Sequence, residues 1–318
     1  MSKRSILFPL IIILVFSISQ YSSKRDNPPF IVVLGVAQDA GYPHIGCKKR
    51  CCEDVRMGKL SRRSVSCLAV VDPVSNERWL FDATPDITTQ LHLLDSIAPV
   101  HSSQSNPIGI NGIFLTHAHI GHYTGLMYLG REGMGAKNIS VYEMPRMNDF
   151  LKTNGPWSQL VTLKNIELHP LAEDQSVALN ERLTVTPIRV PHRDEFSETV
   201  GFIISSRKKS ALFIPDIDKW ERWDRRIEEY LSKVDVAFLD GTFFDERELP
   251  GRSMNEIPHP FITESMKRFS SLPPSEKSKI KFIHLNHTNP ALDPSSDARK
   301  AVREAGFEIA EVGEKIVL

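Results

Sequence analysis

Apolar positions along the chain fall into short runs separated by turn-forming residues. Phe30-Ile31-Val32-Val33-Leu34-Gly35, bounded by Pro29 and Gly35, has the length and β-branched content of a buried strand. Similar runs predict strands at Ser64–Val71, Arg78–Phe81, Gly112–Thr116, Leu183–Val190, Val200–Ser205, Ala211–Ile214, Val234–Leu239, Lys281–Leu285 and Glu308–Val312. Helical spacing lies between them. Ile87–Leu94 follows the start signal Thr84-Pro85-Asp86, and Pro294–Ala305 ends at a capping Gly306. Over Lys219–Leu231, the residues Trp220, Trp223, Ile227 and Leu231 share one face of a predicted helix. No repeat of 20–50 residues interrupts this mixture, which predicts one α/β domain over 30–318 with two packed sheets.

The first residues follow another pattern. Lys3 and Arg4 precede the apolar stretch Ile6–Ile18, which is followed by Ser19-Gln20-Tyr21-Ser22-Ser23-Lys24-Arg25. Thirteen residues are too few for a helix spanning the ~20 residues of a bilayer, and they match the apolar core of a secretory signal. Residues 1–22 are therefore expected to be a signal peptide, which would make the protein periplasmic or secreted. The alternative is an uncleaved segment that anchors the chain by its N-terminus, the only membrane contact expected.

Composition narrows the partners. The chain has 318 residues, 39 basic and 39 acidic, and is 41% hydrophobic, an ordinary globular balance. Zero formal charge gives no reason for a broad nucleic-acid surface, so no nucleic-acid partner is expected. A small-molecule or peptide substrate is expected instead, and nothing in the sequence indicates an oligomeric state.

The chemistry concentrates in Leu115-Thr116-His117-Ala118-His119-Ile120-Gly121-His122. A strand ends at Thr116 and three histidines follow, in the kind of loop where α/β sheets build their sites. With 11 histidines in the chain, this pattern arises by chance about once in a hundred sequences. Two imidazoles in an extended turn, with a third entering a helix, suit metal ligation: neutral imidazole binds zinc and accepts iron, nickel or copper.

This segment resembles the H-x-H-x-D-H motif of the metallo-β-lactamase superfamily, which implies a four-layer αββα sandwich with one or two metals at one sheet edge. The remaining ligands are then expected after later strands: His192 in Val190-Pro191-His192-Arg193, Asp216 in Phe213-Ile214-Pro215-Asp216, and His287 in Asn286-His287-Thr288. Asp218 competes with Asp216 but suits a helix cap better, and His284 is expected to face away within its strand.

Within the superfamily the nearer resemblance is to the PqqB family of pyrroloquinoline quinone biosynthesis. It is carried by Asp82-Ala83-Thr84-Pro85-Asp86-Ile87 with Gln90, Thr124-Gly125-Leu126, Asp240-Gly241-Thr242-Phe243-Phe244 with Glu246 and Glu248, His259-Pro260, and Asn286-His287-Thr288-Asn289-Pro290. The order of elements also resembles the RNase Z and PhnP branch. Two departures stand out. His117, His119 and His287 replace residues that are usually not histidine in PqqB proteins, and Gly121 replaces the aspartate that normally ligates a second metal.

The resemblance implies a hydrolase in which a metal lowers the pKa of bound water to about 7, for attack on an ester, amide or phosphodiester bond. The expected ligands are His117, His119, His122, His192, Asp216 and His287; Asp216 also bridges or orients, and His259 contacts substrate or donates a proton. Zinc, as one or two ions, is the expected metal, with iron or manganese as alternatives. Two other functions compete: an iron-dependent oxidative enzyme, and a non-catalytic metal-binding protein that lost its second site through Gly121.

Three of the four cysteines gather in Gly46-Cys47-Lys48-Lys49-Arg50-Cys51-Cys52, just after His44. In PqqB and PhnP proteins a similar cluster holds a structural zinc, implying His44, Cys47, Cys51 and Cys52 as its ligands here. An oxidising compartment would instead favour a disulfide from Cys47 to Cys51 or Cys52. Cys67, inside an apolar strand, is expected in the core.

Overall fold

The computed structural model describes residues 27–99, 108–253 and 256–318; the expected signal over 1–22 lies outside them. Strands β1 (Phe30–Gly35), β2 (Cys67–Asp72), β3 (Glu77–Phe81), β4 (Gly112–Phe114), β5 (Ile139–Glu143), β6 (Ile166–Pro170) and β14 (Lys315–Val317) form one sheet, in the order β14-β1-β2-β3-β4-β5-β6. The second contains β7 (Val177–Ala178), β8 (Leu183–Arg189), β9 (Val200–Ser206), β10 (Ser210–Ile214), β11 (Val236–Asp240), β12 (Ile280–Ile283) and β13 (Glu308–Ile309), in the order β13-β12-β11-β10-β9-β8-β7.

Side-chain alternation explains the layers. In β1, Ile31 and Val33 join the cluster between the sheets, whereas Phe30, Val32 and Leu34 join a second cluster beneath the helices at Ile87–Ile97, Pro145–Thr153 and Trp157–Thr162. A strand covered on both faces must be apolar throughout, and all six residues of β1 are buried. Between the sheets, Phe81 stacks on Phe114 at 5.1 Å and both meet Phe202 edge-on at 5.5 and 5.6 Å. Each such ring contributes roughly 1.5–3 kcal/mol by burial. Helices at Ile227–Leu231, Ile262–Arg268 and Asp297–Glu304 accompany the second sheet. This is an αββα sandwich, as the resemblance implied.

One predicted element changes. Lys219–Leu231 is not a continuous helix but a 3₁₀ turn at Trp220–Arg222 and a helix at Ile227–Leu231. Trp223 between them is extended, which lets Arg225 pair with Asp174 at 2.8 Å while all four apolar side chains stay buried. Among the described residues, no helix is long and apolar enough to cross a membrane.

β1, β3, β4, β8, β10, β11 and β12 all deliver their C-terminal ends to one edge, the position where α/β sheets place their sites. β1 reaches that edge through an irregularity in its register between Val33 and Gly35. A Cβ on Gly35 would lie 1.9 Å from the Val65 carbonyl oxygen, so only glycine permits this approach. The chain then pairs at Ala37 with both Val65 and Leu285, stitching the loop after β1 to the loop after β12.

Candidate metal centre

His117 and His119 leave the end of β4 in the expected extended turn, and His122 begins on the short helix Ile120–Tyr123. His117 Nε2 lies 2.8 Å from His119 Nδ1, and Asp216 Oδ2 approaches His117 Nε2 at 3.4 Å and His192 Nε2 at 3.3 Å. The ligand atoms of His117, His119, His192 and Asp216 all lie within 4.8 Å of one another. Four of the expected ligands are therefore brought together. Asp218, the rival of Asp216, instead accepts from Lys219 N at 2.7 Å and pairs with Arg222.

His287 is a correction. It sits with Cys47 and Cys52, its ligand atom within 4.8 Å of theirs, because β12 ends at Ile283 and the following loop turns it to the other side. His284 is the second correction. It does not face away: with φ of 65°, it turns its ring into the edge, where it lies tilted against His122 with ring centroids 5.2 Å apart. His122 in turn groups with Asp39 and His284 rather than with His117 and His119. Asp39 belongs to no spaced motif in the sequence, and the strand pattern alone pointed His284 away from the edge. The cue for Asp39 was its place just past the first strand.

The surroundings hold each ring in place. Asp82, fully buried and also in the left-handed region at φ 71°, accepts from Thr116 N at 2.8 Å and contacts His122 Nδ1 at 2.7 Å. On the outer side, His119 Nε2 meets Glu195 at 2.8 Å. Asp240 accepts from Ile217 N and Thr242 N and holds His259 Nδ1 at 2.9 Å, with Asp216 Oδ1 3.2 Å from the same nitrogen. Asp82 and Asp240 lie in segments that carried the family resemblance, but their positioning roles emerge only from these contacts.

Burial keeps His117 and His192 well toward the neutral form that ligates metal. It also opposes charge on Asp216, yet the imidazoles of His192, His259 and His117 prevail and hold that carboxyl well below the usual range. Burial opposes charge on His259 too, but Asp240 and Asp216 outweigh it and raise its pKa to about 10. Both ring nitrogens of His192, His122 Nε2, His284 Nε2, Asp39 Oδ1 and Asp216 Oδ1 are buried without a hydrogen-bond partner. Each such atom costs roughly 1–3 kcal/mol. A divalent cation satisfies such a donor set, and the residues fit one.

The cysteine cluster fits a second kind of centre. Cys47, Cys52 and His287 converge, and none of the four cysteines forms a disulfide. His44 does not join them as a ligand as expected: its Nδ1 contacts the Ile45 carbonyl at 2.7 Å and its ring packs on His287 at 4.2 Å. Cys51, also expected as a ligand, is not part of the converging group; burial and the neighbouring thiols push its thiol up to about 12. Cys67 is in the core, as expected.

The model of the beta-lactamase superfamily domain matches residues 77–285. The chain belongs to that superfamily. Within it the chain is PqqB-like: the coenzyme PQQ synthesis protein B of Klebsiella pneumoniae is 30% identical over 322 residues, covering 91% of this chain and 98% of the relative. The zinc-bound PqqB of Methylobacterium extorquens has a TM-score of 0.76 at 22% identity, covering 91% of this chain and all of its own. A diphosphatase of the PhnP family follows at 0.64 and 20% identity, covering 91% and 98%. These two likenesses concern the fold.

Proposed function

We propose that the protein is an exported, zinc-dependent hydrolase acting on an ester, amide or phosphodiester bond. The observation that carries this reading is the convergence of His117, His119, His192 and Asp216, with polar atoms left unpaired, at the carboxyl edge of the sheets. A divalent ion bound there supplies water activated near neutral pH and charge stabilisation at the reacting centre. Export rests on Lys3, Arg4 and the apolar run Ile6–Ile18 in the sequence. The cysteine cluster with His287 is proposed to hold a structural zinc that fixes the loop after β1.

The chain's own groups divide the work. Asp216 turns Oδ2 toward His117 and His192 and Oδ1 toward His259. Asp240 and Asp216 favour the protonated form of His259, and its Nδ1 is tied to Asp240. Its Nε2 is then the ring position that delivers a proton to the leaving group. Glu195 and Arg193 border His119 at the outer side, where substrate charge would be read.

The test is turnover and metal content of protein purified without added metal, on a panel of phosphodiester, ester and amide substrates. Zinc with oxygen-independent hydrolysis, abolished by His119→Ala, is expected. Iron with oxygen-dependent turnover would replace this reading with an oxidative one, and folded, metal-loaded protein inert on every substrate would leave a binding protein.

A further inference from the structure

The aspartate that the family motif places at residue 121 is a glycine here, which by itself predicts a lost second metal position. The geometry points to a replacement from elsewhere in the chain: we infer that Asp39, from the loop after β1, takes over as the carboxylate ligand and completes a second metal site with His122 and His284. The inference rests on the metal-dependent reading above.

The space itself carries the first part. A Cβ built on Gly121 would lie 2.2 Å from Asp39 Oδ1 and 2.6 Å from its Cα. Asp39 thus fills the volume that a side chain at 121 would need, and its backbone as well as its carboxylate forbids one. Glycine at 121 and aspartate at 39 are two halves of one exchange.

The donor atoms carry the second part. Asp39 Oδ1 lies 3.5 Å from His122 Nε2 and 3.9 Å from His284 Nε2, and all three are buried without a hydrogen-bond partner. Those separations are long for direct hydrogen bonds. They are close to the ~3.4 Å between donors that each bind one ion at ~2.0–2.2 Å in a tetrahedral arrangement. The opposite ring nitrogens are already engaged, His122 Nδ1 by Asp82 at 2.7 Å and His284 Nδ1 by Thr242 Oγ1 at 2.9 Å. Such outer contacts orient a ring so that Nε2 faces the metal.

The backbone carries the third. Leu285 N donates to the Val36 carbonyl at 2.7 Å and Gln38 N to the Leu285 carbonyl at 2.9 Å, which locks Asp39 and His284 into register. Asp216 Oδ2, 4.0 Å from His122 Nε2, lies between this trio and the His117–His192 set and joins the two.

The test is metal counting on the folded protein, stripped and reloaded with zinc, then with cobalt(II). Cobalt bound by thiolate absorbs strongly in the near ultraviolet, so the cysteine cluster is counted separately. Wild type is expected to hold two further equivalents. Asp39→Asn, of the same shape, should lose one of them, with its affinity down about 100-fold or more, and keep the other unchanged. Gly121→Ala should weaken that same equivalent by displacing the loop. His119→Ala should lose the other. Two equivalents retained by Asp39→Asn with unchanged affinity overturn the inference. A single wild-type equivalent removed by His119→Ala overturns it too, while leaving the proposed function intact; none outside the cysteine cluster overturns both.

Discussion

The two ligand sets at the sheet edge are built differently. The His117 set draws two of its four members from one tripeptide and the others from the ends of β8 and β10, strands of one sheet separated by β9. The Asp39 set takes one residue from each of three distant segments, held together by the Ala37–Leu285 pairing. A compact motif survives as a motif, so its loss or retention is visible in the sequence. A dispersed set depends on backbone register, so it can exchange a ligand between positions 82 residues apart without leaving a recognisable pattern. Gly121 looks like a deletion in the first frame and an accommodation in the second.

The largest effect should come from Asp216, which lies between the two sets. Asp216→Asn is expected to lower turnover at least about a thousandfold and to weaken metal binding at both positions, read by steady-state rates and metal content. Next, Asp82→Asn removes the carboxylate behind His122. It should weaken the Asp39-set metal by about 10–100-fold while the His117 set is less affected, read by competition with a chelator. Equal losses at both positions would erase the distinction between the sets.

Cys52→Ser probes how the cysteine cluster bears on the comparison. The segment 36–52 supplies Asp39 to one centre and Cys47 and Cys52 to the other, and 284–287 likewise supplies His284 and His287. Loss of the thiolate metal should therefore loosen the Asp39 set several-fold and leave the His117 set unchanged. Calorimetric titration with zinc separates the two.

The smallest effect lies away from the metals. Glu143, at the end of β5, is fully buried with one oxygen unpartnered, and burial raises its pKa to about 7. The unfolded carboxyl titrates near ~4.3, so between these values the unfolded chain releases the proton first. Stability is then complete below the lower value and declines as pH rises through the upper one. Glu143→Gln should unfold at a higher temperature than wild type at about pH 8, by roughly 1–3 kcal/mol in stability, with no difference near about pH 4. Thermal melts at both pH values check it.

Much of the sandwich was legible because strands buried on both faces are short, apolar and β-branched; β1 runs over Phe30–Gly35 as read. β5 and β6 were missed, since Ile139–Glu143 and Ile166–Pro170 alternate with polar residues and sit near the outer margin. The helix across Trp223 failed because helical spacing also fits a turn followed by a short helix. At the site, His117, His119, His192 and Asp216 were legible from motif and strand ends. His284 and His287 were exchanged because β12 stops at Ile283, and the left-handed backbone at His284 inverts the alternation on which side-chain direction was judged. Asp39 depends on a register shift that no local pattern announces.

Anomalous diffraction at the zinc absorption edge, from crystals of the zinc-loaded protein, tests the central claim most directly. A peak among His117, His119, His192 and Asp216 is the predicted result, with a second among Asp39, His122 and His284. Zinc found only at Cys47, Cys52 and His287, with the sheet edge empty under saturating metal, would contradict it.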